Sequence, residues 1–237
     1  MFFDPLYWLI IGIGMVLSIW ASMKTKGTFH KYSQYTTQKR MTGADVAAAI
    51  LRDNNITGVQ IVPIQGNLTD HYDPRTRVLR LSEGVYGSTS MSAAGVAAHE
   101  VGHAIQHAQG YAPLKFRSTW VPVANIGGGL SMFVLIAALF MGGAATVMGS
   151  KLALAGVVLF ATTTLFTLVT LPVEFDASHR ALATLKRGSY LTPEELQGAK
   201  KVLDAAALTY VAAFISSALT LFYWAMRLGL LGGRRSD

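Results

Sequence analysis

With 237 residues, 51% of them hydrophobic, only 14% charged and a mean hydropathy of +0.38, the chain is too apolar for an ordinary soluble domain. Its net charge of +7 comes from scattered Lys and Arg without a basic helix stripe or an aromatic platform, which excludes a nucleic-acid partner and fits loops beside an anionic leaflet. There is no cysteine, so disulfides and thiolate metal ligands are excluded.

Leu6–Met23 is the first stretch with the apolar length needed to cross a bilayer, about 20 residues. Asp4 precedes it, and Lys24, Lys26 and Lys31 follow, a charge order that predicts a retained anchor with its N-terminus outside. Thr42-Gly43-Ala44-Asp45 then opens an Ala-rich helix to Arg52, with Thr42 as N-cap and Asn54-Asn55 as its end. Val59–Ile64 and Arg77–Leu81 read as strands, with turn-forming Gly66-Asn67 and Asp73-Pro74 between them. In the resulting order of helix, strand, strand, helix, the strand just before the second helix is expected to offer a free edge to an extended peptide, or else to form an ordinary hairpin over that helix. Further spans are expected at Trp120–Met141, at Lys151–Leu171 and, after a capped start at Thr192-Pro193-Glu194-Glu195, at Ala207–Met226. The glycines Gly127, Gly128, Gly129, Gly142 and Gly143 are expected at helix-packing contacts.

The helix after the strands carries Ala97-Ala98-His99-Glu100-Val101-Gly102-His103. Helical residues four apart share a face, about 5–6 Å apart at Cβ, so His99 and His103 can present two imidazoles to one metal ion. Glu100, rotated by about 100°, can reach a water instead of the metal. Two ligands and a general base on one turn are the signature of a zinc metalloprotease, and the cofactor implied is Zn2+. The small apolar flanks predict that this helix is buried, where unpaired polar groups cost several kcal/mol. Gly102 costs about 1 kcal/mol relative to Ala in a helix interior, which predicts close packing at that point.

Without cysteine the third ligand must be His, Asp or Glu. His107 drifts round the helix from the other two, and Gln109 holds the position where an extended pattern would place a third histidine. Two clusters remain, His71-Tyr72-Asp73 and Glu174-Phe175-Asp176-Ala177-Ser178-His179-Arg180. The expectation falls on Glu174, which follows Pro172 at a helix start. Two spans separate it from His103, and such a hairpin returns the chain to the side it left. Lys24–Arg117 holds 11 of the 20 Lys and Arg residues and Arg180–Lys201 five more, so both segments are expected in the cytoplasm, with the Gly142–Lys151 connection outside. Arg227, Arg234 and Arg235 would then lie outside. His179, Arg180 and His71 are candidate donors to an oxyanion.

The run from Val96 to His107, with Asp70-His71-Tyr72-Asp73-Pro74-Arg75 before it and Leu171-Pro172-Val173-Glu174-Phe175-Asp176-Ala177-Ser178 after it, closely resembles the YugP-type bacterial membrane zinc metallopeptidases. The resemblance covers nearly the whole chain. It implies a neutral zinc peptidase of the bacterial cell membrane, with His99 and His103 as ligands, Glu100 as acid/base and Glu174 as third ligand. A broader resemblance is to HtpX- and CAAX-protease-type peptidases, gluzincins whose E-x-x-A-D pattern supplies an aspartate behind a zinc-bound histidine. Here Ser178 stands at that position: it can form a hydrogen bond but carries no charge. Asp176 is expected to point elsewhere on the helix.

The expected fold is therefore mostly α, a multi-pass membrane protein with about four transmembrane helices and a small cytoplasmic zincin-like α+β part. The expected organisation is an anchor at 1–23, the zincin-like part at 24–118, a transmembrane hairpin at 119–171, cytoplasmic helices with the third ligand at 172–206, and a last span with its tail at 207–237. The function expected is a zinc endopeptidase of the bacterial inner membrane, acting at the cytoplasmic side on membrane-associated peptide or protein substrates, with lipid as its other partner. A catalytically silent zinc scaffold is the alternative, although such a site would not need Glu100. A transporter is the weaker one, because the cores of the second and third spans contain no ionisable residue.

Overall fold

A computed structural model describes residues 4–228. The tail from residue 229, with Arg234 and Arg235, lies outside the described residues. The protein is a mostly helical multi-pass membrane protein. Among the described residues, four helices are long and apolar enough to cross a membrane: α1 (Pro5–Ser33), α5 (Ala112–Phe140), α6 (Val147–Arg187) and α7 (Pro193–Arg227). Between α1 and α5 lie α2 (Gly43–Asp53), β1 (Gln60–Ile64), β2 (His71–Asp73), β3 (Val78–Ser82), the short α3 (Glu83–Tyr86) and α4 (Met91–Ala108).

The described residues form two compact units. The apolar unit comprises residues 4–20, 116–170 and 210–228, and the site-bearing unit comprises 21–115 and 171–209. Within the apolar unit, Trp120 Nε1 donates to the Thr162 carbonyl at 3.1 Å, and Gly127 and Gly128 leave room for the hydroxyls of Thr162 and Thr163. Gly142 and Gly143 differ from the packing role expected of them. They form the turn after α5, with φ of +88° and +56°, angles that a residue with a Cβ adopts only under strain.

In the site-bearing unit α2 starts as its residues predict. Thr42 caps the Asp45 amide, and the Asp45 carboxylate caps Thr42 in return. Val46, Ala47, Ile50 and Leu51 of α2 share one hydrophobic core with the small residues of α4, with Leu79 and Leu81 of β3, with Ala181 and Leu185 of α6 and with Ala199 and Leu203 of α7. The α4 helix is buried over most of its length, as its flanks predict.

The sheet corrects the expected strand order. β1 runs parallel to β3, and β2 pairs antiparallel with the other side of β3, giving the order β1-β3-β2. The strand before α4 is thus central, with neither a free edge nor a hairpin partner in β1. The element not foreseen is β2, whose three residues are too few to show an alternation and end at the turn-forming Asp73-Pro74. A second correction concerns Pro172, which starts no helix but sits inside the 41-residue α6. It takes its own N–H out of the helix and crowds the carbonyl one turn back, yet α6 runs on through it. Glu174 therefore rides on an unbroken extension of the third apolar helix.

Candidate metal centre

His99 and His103 stand one turn apart on α4, and their rings meet at 4.8 Å between centroids. Across from them, α6 brings Glu174, which is only 2% exposed. Its Oε2 lies 3.2 Å from His99 Nε2 and 3.5 Å from His103 Nε2. One ligand atom from each of the three residues falls within 4.8 Å of the others. The approach depends on Gly102, because a Cβ there would run into the Ala177 carbonyl of α6.

The far ring nitrogens show which tautomer this geometry needs. Gln106, fully buried, donates its amide Nε2 to the Val173 carbonyl and to Asp176 Oδ2, both at 2.8 Å. Its Oε1 is therefore an acceptor, and His103 Nδ1, 3.0 Å away, must carry the hydrogen. The Nε2 of a neutral His103 is then a lone pair aimed at a carboxylate oxygen. Two lone pairs face to face call for a cation between them, a proton or a metal ion. His99 likewise turns Nε2 toward Glu174, and its Nδ1 lies 3.1 Å from Ser178 Oγ, a hydroxyl that can donate or accept. The donor set is two imidazoles and one carboxylate, gathered in a buried spot with their outer atoms already held. That chemistry fits zinc, which takes three protein ligands in open sites.

Glu100 is 8% exposed and lies beside this group. Burial pushes its carboxyl up to about 7; the nearby Glu174 and Asp70 add to the rise, while His99 and the Tyr72 amide oppose it. Asp70 is itself raised by burial, and it accepts the Ser82 amide at 2.7 Å and the Ser82 hydroxyl at 2.8 Å.

The remaining expected residues separate. Ser178 is at the His99 ring, as the broader resemblance implies for its position. Arg180 is held by Asp176 and Gln109. His71 is exposed, with Nδ1 on the Thr69 carbonyl at 2.8 Å, and His179 is exposed on α6. None of the three reaches the ligand group. Sequence reasoning missed Gln106 and, with it, the part of Asp176, which bonds Gln106 and Arg180 and neither histidine. The signal for Gln106 was its place three residues after His103 on a helix expected to be buried, where an amide needs partners. It also missed the Tyr72 hydroxyl on His107 Nδ1, at 2.9 Å.

A buried two-helix site of two histidines and a glutamate, in a multi-pass membrane protein, defines a membrane metalloprotein with the donor set of a zinc centre. The chain belongs to the family described as "Putative neutral zinc metallopeptidase", whose model matches residues 7–229. It is 44% identical over 211 residues to a protein named "Putative membrane protease YugP" of Bacillus subtilis (strain 168), covering 89% of this chain and 91% of that one. No solved structure matches it. Zinc is accordingly the metal of this protein, and His99, His103 and Glu174 form the group able to bind it.

Proposed function

We propose that the protein is a zinc endopeptidase that cleaves membrane-associated proteins at the cytoplasmic face of the bacterial inner membrane. His99, His103 and Glu174 hold the metal and Glu100 moves the proton. The observation that carries this reading is the convergence of the three ligand atoms, with a buried carboxyl one residue from the first ligand. When bound, zinc supplies the Lewis acidity that polarises a scissile carbonyl and acidifies water. A Glu100 carboxylate oxygen takes the proton of the attacking water and returns it to the leaving nitrogen. Burial favours the protonated carboxyl that the second transfer needs, and the ionised form needed for the first is the one a bound cation favours. Ser178 and Gln106 orient the two imidazoles, and Asp176, paired with Arg180, anchors Gln106. The substrate backbone pairs with the outer edge of β2, the strand whose Tyr72 amide faces Glu100.

Glu100→Gln preserves shape and removes the base. Purified E100Q is expected to bind one zinc with wild-type affinity and to lose proteolysis of a membrane-protein substrate by about a thousandfold or more. His99→Ala is expected to lose the zinc as well. A cleaving E100Q variant would sink the mechanism, and inert wild-type protein with full zinc would favour the silent scaffold.

A further inference from the structure

Away from the metal centre, the site-bearing unit has a groove of about 410 Å³ between the second half of α1 and the first half of α7, lined by Lys24, Thr28, Lys31, Tyr32, Lys201, Asp204, Ala205 and Leu208. Lys24, Thr28 and Lys31 follow one another at helical spacing on one face of α1, and Lys201, Asp204, Ala205 and Leu208 do so on α7. The one acidic residue in the groove, Asp204, pairs with its helix neighbour, accepting Lys200 Nζ at 2.6 Å. Among the described residues, no carboxylate lies within 4.0 Å of Lys24, Lys31 or Lys201. Three lysines thus line one groove, and among the described residues none of them is paired with a carboxylate.

The height of the groove along the helices says what the counter-ion is. On α1 the apolar stretch ends at Met23 and Lys24 follows; on α7 Lys200, Lys201 and Asp204 end and Ala205-Ala206-Ala207-Leu208 begins the apolar stretch. The Thr25 hydroxyl donates to the Ala205 carbonyl at 2.8 Å, which keys the two boundaries together. The groove therefore combines cations, Lys31 and Lys201 toward its polar end and Lys24 beside Ala205, with the apolar Ala205 and Leu208, and it sits where the sequence of both helices passes from polar to apolar. A free phosphate ion would use the cations and leave the apolar residues uncovered. A zwitterionic headgroup would bring a further cation to a groove whose three lysines already outnumber its one carboxylate.

We propose that this groove binds an anionic phospholipid, its phosphate among Lys24, Lys31 and Lys201 and its glycerol and first acyl carbons against Ala205 and Leu208. Nothing in this site uses the zinc or Glu100.

The test is native mass spectrometry of the full-length zinc-loaded protein in detergent, titrated with phosphatidylglycerol, phosphatidylcholine or inorganic phosphate. One phosphatidylglycerol is expected to bind about tenfold or more tighter than phosphatidylcholine, and millimolar phosphate is expected not to displace it. The K24Q/K31Q/K201Q variant is expected to lose at least about tenfold in that affinity, while K26Q/K39Q/K186Q, with the same change of charge, stays within about twofold. The matching Lys→Arg triple is expected to keep the lipid. Zinc content reports whether each variant is folded, and the single Lys→Gln variants replace the triple if it is not. Equal loss in both Gln triples, equal binding of phosphatidylcholine, or displacement by phosphate would each overturn the proposal.

Discussion

His103 depends on one side chain, Gln106, whose oxygen holds Nδ1–H while its amide is spent on Val173 and Asp176. Gln106→Leu keeps the volume and removes all three bonds. It is expected to weaken zinc binding about 10–100-fold, the usual cost of losing such a support, in competition with a chromophoric chelator. Glu100 makes a prediction about pH. Its carboxyl is raised by burial from 4.5 to about 7, so the folded protein holds a proton there that the unfolded chain has released. Its contribution to stability is therefore whole below pH 4.5 and is lost as pH rises through about 7, up to about 3 kcal/mol. Chelator-stripped wild type and E100Q should accordingly unfold alike at pH 5, and E100Q should unfold at the higher temperature at pH 8. A gap that is constant across this range would show that Glu100 does not titrate in it.

At the scale of elements, the contact of α4 with α6 is what turns two histidines and a glutamate into a group. Gly102 permits it, and the obstacle to a side chain there is backbone, which cannot swing aside as a flexible side chain would. Gly102→Ala is expected to cost about 1–3 kcal/mol in thermal unfolding and to loosen zinc retention, because the helices must part. Gly27→Ala, where a Cβ meets nothing within 4 Å, serves as the control and is expected to be neutral or mildly stabilising. The same contact marks how far the site could be read beforehand. His99 and His103 announce themselves by spacing, and Glu174 by elimination and by topology. Gln106 and Asp176 do not, because an amide and a carboxylate recruited across two helices leave no local period. Pro172 misled because proline favours the first turn of a helix, whereas long membrane-spanning helices such as α5 and α6 also tolerate one in their interior. β2 escaped because three residues carry no pattern, and its absence made β3 look like an edge.

For the whole molecule, the composition of the loops is what the proposed orientation in the membrane rests on. Lys24–Arg117 and Arg180–Lys201 carry 16 of the 20 basic residues, whereas the connection from Gly142 to Lys151 carries one. On the proposed reading, the positive-inside rule sets the site-bearing segments in the cytoplasm and that connection outside, and the substrates are then proteins reachable from the cytoplasm. The chain contains no cysteine, so a single introduced thiol reports its own side without background. Gln65, Ser150 and Lys186 are all exposed. On intact cells a membrane-impermeant maleimide is expected to label Ser150→Cys and to leave Gln65→Cys and Lys186→Cys unmodified until the membrane is permeabilised. The three variants should also keep their zinc, since none of these side chains touches the ligand group. The reverse labelling would turn the site toward exported proteins, and the metal chemistry would survive that result while the proposed substrates would not.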